Sequence, residues 1–246
     1  MRRTYLDNLN IEGDSVMIGG SAAHHLKDVL REKAGDSFIG FDGSGHEYEI
    51  RITALGRDNV TGRIVSCVKK TEIESALKLT FCQSLPKGTK MDDIVRDITE
   101  LGAAAIIPVL SERVVPRTAG ASLDHKYERW RRIAQDAAKV AHRTLVPEIH
   151  PLTPLAEALR APADLAILFW EGSTNPFRDI AAAASRRITS VAVFVGPEGG
   201  YTAEEVALAE KCGVVIAGLG RRILRTTTAA VVAAALVMYE LEQDRG

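Results

Sequence analysis

The 246-residue chain is short of cysteine, of net charge and of long apolar runs. Its three cysteines, Cys67, Cys82 and Cys212, are far apart, odd in number and in no C-x-x-C pair, so neither a disulfide framework nor a zinc site is expected, and no other metal site is expected. That usage fits a reducing cytoplasm. With 31 basic against 32 acidic residues, no global charge announces nucleic acid. The N-terminal stretch "MRRTYLDNLNIEGD" lacks the apolar core of a signal peptide, and the longest apolar run, near Ala229 to Val237, is too short to span a bilayer. The expectation is a cytoplasmic protein with no membrane partner. Internal repeats and low-complexity linkers are absent as well.

What is present divides into two textures. The first seventy or so residues carry short alternating runs such as "DSFIGFDG" and "HEYEIRITAL", separated by Gly-Asp, Asp-Gly and Asp-Asn turn signals, with one short helix near His24 to Arg31. Gly40, Gly43 and Gly45 lead into a further strand, not a helix, which reads as a hairpin and not a nucleotide loop. This is the pattern of a small β-barrel, assigned to residues 1–72. After Lys69 and Lys70, across residues 73–246, strands alternate with longer helices. The expected strands are "LKLTFCQ", "AAIIPV", "DLAILFW", "SVAVFVG" and "VVIAGLG"; the expected helices lie near 90–101, 123–142, 176–187, 202–212 and 227–243. Such alternation argues a mostly parallel α/β sheet. Charge is distributed unevenly: from Ser111 to Arg143 there are eight Lys or Arg against four acids.

Three strands end alike. "LFWEG" stops at Gly172, "VAVFVG" at Gly196 and "AGLG" at Gly220, each before a loop that leads to a helix. In open parallel sheets ligands bind beyond the carboxyl ends of the strands, which places a candidate site in the last third of the chain. At the middle strand the run "GPEGGYTAEEV" pairs a bare turn with a helix start, in which Thr202 and Glu205 form a capping box. No Lys-Ser or Lys-Thr follows the glycines, and G-x-G-x-x-G is not matched, so neither phosphate loop applies. Glu198 within the turn suits a cationic or hydroxyl-bearing ligand better than a polyphosphate. The third loop, "LGRRILRTTTAAVVAAALVMYEL", sets Arg221, Arg222 and Arg225 before a small-residue helix capped by Thr226 or Thr227. Arginines beside a backbone pocket suit RNA, whose phosphates they grip and whose bases they stack on.

"GPEGGYTAEE" with "LGRRILRTTTAA" resembles the paired C-terminal motifs of the SPOUT methyltransferases, specifically the RsmE family, which makes N3-methyluridine in bacterial small-subunit 16S rRNA. "HHLKDVLREKAGDSFIGFDGSGHEYEIRI" is similar to that family's PUA-like barrel, and "KGTKMDDIVRDITELGAAAIIPVLSERVVPR" and "WRRIAQDAAKVAHRTLVPEI" to its first α/β segments, so the likeness runs through nearly the whole chain in order. The resemblance implies a PUA-like barrel followed by a trefoil-knotted α/β domain, S-adenosylmethionine as methyl donor, small-subunit rRNA or the assembled small subunit as substrate, and a homodimer. It implies cofactor contacts from Gly172, Gly196, Pro197, Glu198, Gly199, Leu219, Gly220, Ile223 and Leu224. Arg225 is the candidate catalytic group, and Arg3, Arg31, Arg113, Arg117, Arg143 and Arg222 are the candidate RNA contacts. Thr227 departs from the family, which usually has glutamate there, and Asp97 stands where lysine is usual. Three other readings remain at this point: an RNA-binding assembly factor of the same fold without this catalysis, a nucleotide-binding enzyme using the glycine loops, and a methyltransferase of the superfamily acting on another RNA.

Overall fold

A computed structural model of the chain describes residues 1–7, 9–69, 73–114, 121–184 and 188–242. The chain forms two compact units, one comprising Met1–Glu74 together with Ala138–Val146, the other Ser75–Ala137 together with the chain from Pro147 onward.

The first unit is a six-stranded sheet of β1 (Arg3–Tyr5), β2 (Leu9–Glu12), β3 (Ser15–Ile18), β4 (Ser37–Phe41), β5 (His46–Leu55) and β6 (Val60–Lys69), in the order β1-β4-β5-β6-β3-β2. Its ladders are antiparallel except β1 on β4. Alternation along β3 and β5 turns Val16, Ile18, Ile50 and Ile52 into a shared core with Leu6, Leu26 and Phe38. The helix expected near His24 begins earlier, as α1 (Gly20–His24), and continues as a π-helical turn over His25–Val29.

The segment 138–146 is held to this unit by charge. The Arg3 guanidinium stacks 3.8 Å from the Phe41 ring centre, bonds Glu47 at 2.8 Å and donates to the carbonyls of Ala138, Lys139 and Arg143. Arg143 in turn bonds Glu74 at 2.9 Å, and Glu74 also accepts from the amides of Thr144 and Leu145.

The second unit holds β7 (Lys78–Ser84), β8 (Ala105–Leu110), β9 (Glu148–Ile149), β10 (Thr153–Pro154), β11 (Leu165–Phe169), β12 (Ser190–Val195) and β13 (Val215–Ala217). They run β10-β8-β7-β12-β11-β13, with β9 on β8, and every ladder is parallel. Val191–Val195 is buried throughout because β12 lies between β7 and β11 with helices on both sheet faces, which is why it is apolar without alternation. The helices are α2 (Lys90–Glu100), α3 (Ala121–Val140), α4 (Leu155–Ala158), α5 (Phe177–Ala183), α6 (Ala203–Lys211) and α7 (Thr226–Leu241). The Thr202–Glu205 capping box starts α6 as expected, with both reciprocal bonds formed. Trp130 on α3 donates to Asp92 on α2 at 3.1 Å, and α2 and α5 pack along α7. Among the described residues no helix is long and apolar enough to cross a membrane.

Because all seven strands are parallel, the ends of β11, β12 and β13 emerge on one edge. The loops that follow them build a cavity with the start of α7 and the first turn of α2.

Candidate functional site

The cavity beyond this edge has a volume of about 580 Å³. Its floor is the end of β12 and the turn Gly196–Gly200, and its sides are the ends of the neighbouring strands at Phe169 to Glu171 and Leu219 to Arg225. Lys90 and Asp93 of α2 and Thr226, Thr227 and Ala229 of α7 complete the wall.

The turn owes its shape to side chains from three other elements. Gln83, at the end of β7 and fully buried, donates to the carbonyls of Ser84, Val195 and Gly196. Thr226 Oγ1 donates to the Gly196 carbonyl at 2.7 Å and accepts from Gln83 at 3.1 Å. The N-cap position of α7 is thus Arg225, with no capping side chain, and the Thr226 hydroxyl serves the turn and not the helix. Gly200 has a φ of +67°, a left-handed conformation that glycine adopts without strain. Glu198 accepts from Lys90 Nζ at 2.6 Å and from the Lys87 amide at 3.1 Å. Its partial burial would raise the carboxyl pKa, but these bonds outweigh that and hold it below its ordinary value.

Of the residues expected to meet a cofactor, Gly196, Pro197, Glu198, Leu219, Gly220, Ile223 and Leu224 line this cavity. Two do not. Gly172 lies beneath the Trp170 ring, whose atoms would come within 2.6 Å of a Cβ there, and it faces a separate depression beside Ile216. Gly199 lies beneath the stem of Arg113, whose Cδ would be 3.1 Å from a Cβ, while the Arg113 guanidinium bonds the Gly199 carbonyl. The glycine of that doublet facing the cavity is Gly200.

The expected RNA contacts divide similarly. Arg222 and Arg225 line the cavity mouth, exposed and without a hydrogen-bond or ion-pair partner among the described residues. Arg31 is exposed on the first unit, with a φ of 54°. Arg113 is exposed but engaged with the glycine turn. Arg3 and Arg143 are not presented to solvent: their side chains are 8% and 5% exposed and committed to Glu47 and Glu74. Arg117 lies outside the described residues. Sequence reasoning missed Lys90, Trp170 and Glu171 on the wall and Gln83 beneath it. A glutamine directly after the apolar Phe81–Cys82 pair of β7 was a visible signal, since a buried amide seeks partners.

The arrangement suits a bent, mostly apolar ligand with a positive end. The cavity falls in the range that encloses nucleoside-sized molecules. Phe169, Leu219 and Leu224 supply apolar wall, the bare turn lets a ligand meet main chain, and the Glu171 carboxylate is on hand for a cation. These residues fit S-adenosylmethionine.

A family profile described as an RNA methyltransferase domain matches residues 73–238, and one described as an RNA methyltransferase PUA domain matches residues 18–65. A ribosomal RNA small subunit methyltransferase E of Bacillus subtilis is 32% identical over 243 residues, covering 96% of this chain and 94% of the relative. Its namesake in Synechocystis is 33% identical over 231 residues, covering 93% and 74%. Among solved structures, a ribosomal RNA small subunit methyltransferase E of Neisseria gonorrhoeae bound to S-adenosyl methionine superposes with a TM-score of 0.85 at 30% identity, covering 97% of each chain.

Proposed function

The chain belongs to the RNA methyltransferase family, in the group of the small-subunit ribosomal RNA methyltransferases E, and from that premise we propose that it is an S-adenosylmethionine-dependent methyltransferase acting on N3 of a uridine in 16S rRNA. The observation that carries the proposal is the cavity itself. Three parallel strand ends converge on a turn built around Gly196 and Gly200, and Arg225, without a partner among the described residues, stands at its mouth.

Bound there, the cofactor supplies an electrophilic methyl group on a sulfonium. The turn and the Leu219–Leu224 loop hold it in a fixed orientation, and because transfer to a ring nitrogen is an in-line displacement, alignment supplies much of the rate. Uracil N3 must lose its proton. Arginine stays protonated and cannot take it, but the Arg225 guanidinium at a uracil carbonyl stabilises the anion left behind and lowers the effective pKa of N3. Solvent can accept the proton. N3 lies on the Watson–Crick edge, so the target base enters unpaired or flipped. The exposure of Arg222, and separately of Arg31, supports their reading as RNA phosphate contacts.

The same reading extends to the assembly. Membership of this family supports a trefoil knot in the second unit. α7 carries Val232, Leu236 and Tyr239 at spacings of four and three along one stripe, and Tyr239 is 84% exposed and Leu236 37% exposed, an apolar face suited to a second copy. The chain works as a homodimer in the cytoplasm, on rRNA or the assembled small subunit.

Calorimetry tests the cofactor assignment. S-adenosylmethionine should bind with a stoichiometry of one per chain and ATP should not; ATP binding in its place would overturn the reading.

A further inference from the structure

The charged groups on the cavity wall sort into paired and unpaired. Three carboxylates line it: Asp93, Glu171 and Glu198. Glu198 is bonded to Lys90 at 2.6 Å and Asp93 to Arg96 at 3.0 Å. Glu171 has no hydrogen-bond or ion-pair partner among the described residues. On the positive side Lys90 is satisfied by Glu198, whereas Arg222 and Arg225 remain open at the mouth. An anionic ligand, RNA, answers the two arginines. A cationic one would answer Glu171.

Glu171 is also where such a ligand would be met. Its carboxylate lies against Gly200, with Cδ and Oε2 each 3.1 Å from the position a Cβ would occupy and Oε1 nearer still. The left-handed φ of Gly200 favours a bare residue, and the exposed Glu171 side chain lays its carboxylate against that residue of the turn. Trp170, the residue before it, packs on Gly172 and confines the backbone on that side.

We propose that Glu171 is a specificity-determining residue that recognises the positive charge on the methionine portion of the cofactor, while the glycine turn and the Leu219–Leu224 loop recognise its nucleoside. The inference rests on the cofactor reading above. It assigns different wall groups to the two substrates: a carboxylate for the positive donor and guanidiniums for the anionic acceptor.

Three nucleosides separate the charges. S-adenosylmethionine carries a sulfonium and an α-ammonium, S-adenosylhomocysteine only the α-ammonium with its carboxylate, and 5′-methylthioadenosine neither. Glu171→Gln keeps the shape that packs on Gly200 and removes the charge. Titrations by calorimetry should show S-adenosylmethionine binding weakened about threefold to tenfold, the modest range expected of a solvent-exposed charge, with methylthioadenosine unchanged. An equal loss for adenosylhomocysteine assigns the contact to the ammonium, and a spared adenosylhomocysteine assigns it to the sulfonium; both support the proposal. Equal loss for all three ligands, or for none, overturns it. Glu171→Asp should recover part of the S-adenosylmethionine affinity, and no recovery would count against a charge contact. If the wild type bound none of the three, the cofactor reading would fail, and the titration separates that from failure of Glu171 alone.

Discussion

Replacing Thr226 with valine probes the construction of the cavity at a wall position whose hydroxyl is turned to the glycine turn. Valine matches threonine in shape and removes the hydroxyl that gives a 2.7 Å bond to the Gly196 carbonyl and accepts a 3.1 Å bond from Gln83. Both partners are inside the protein, Thr226 being 5% and Gln83 0% exposed. Gly196 keeps only the 3.3 Å bond from Gln83, while Gln83 retains its carbonyl partners, so neither is wholly orphaned. The cost is therefore about 1–2 kcal/mol rather than the larger penalty of a lone buried group. For a chain of this size that lowers the melting temperature by about 2–8 °C. The effect on the ligand is the sharper reading. If the turn must be re-ordered on binding at up to about 1.4 kcal/mol, affinity falls about tenfold. At a cofactor concentration one hundred times the wild-type Kd, stabilisation of the folded state then drops from about 2.7 to about 1.4 kcal/mol. Thermal melts with and without S-adenosylmethionine measure both quantities. A Thr226→Val protein that melts like wild type and gains as much from the cofactor would refute this role for the hydroxyl.

Other substitutions separate the remaining roles. Arg225→Ala should cut kcat about a hundredfold or more with little change in cofactor Kd, since the side chain has no hydrogen-bond or ion-pair partner among the described residues; a loss confined to RNA affinity would make it a phosphate contact. Arg143→Met takes the guanidinium from Glu74, 10% exposed, which keeps the Thr144 and Leu145 amides, and should cost about 1.5–3 kcal/mol in urea unfolding, whereas a change only in the salt dependence of RNA binding would return Arg143 to the RNA surface. Leu236→Glu with Tyr239→Glu should yield a monomer by light scattering, and an unchanged assembly would place the interface elsewhere. Asp164 accepts bonds from the Thr189 amide first, then the Thr189 hydroxyl and Ser190, which lower its pKa from 3.8 to about 2. Because the folded value is depressed, this contribution is complete above pH 4 and is lost as the pH falls towards 2. Asp164→Asn should flatten the stability profile in that window, and an unaltered acid limb would contradict the assignment.

Much of the second unit was legible because its signals are local. An unbroken apolar run marks β12, and the Thr202–Glu205 spacing marks the start of α6. β9 and β10, two residues each, and the four-residue α4 are too short for periodicity to register, and the π turn after α1 has no distinctive local pattern. Long-range pairings were beyond reach. Whether Gly199 or Gly200 faces the ligand depends on Arg113, 86 residues away, and whether Arg143 is surface or core depends on Glu74, 69 residues away. The basic tally of the 111–143 segment counted the buried Arg143 alongside exposed arginines.

The most direct test of the account is to incubate the purified protein with small subunits and with free 16S rRNA from cells that lack this modification, supply S-adenosylmethionine labelled in its methyl group, and analyse the digested nucleosides by mass spectrometry. The account predicts one labelled nucleoside, N3-methyluridine, absent when the cofactor is withheld and sharply reduced with Arg225→Ala. Label on another atom or another base, or none on either substrate despite tight cofactor binding, would contradict it.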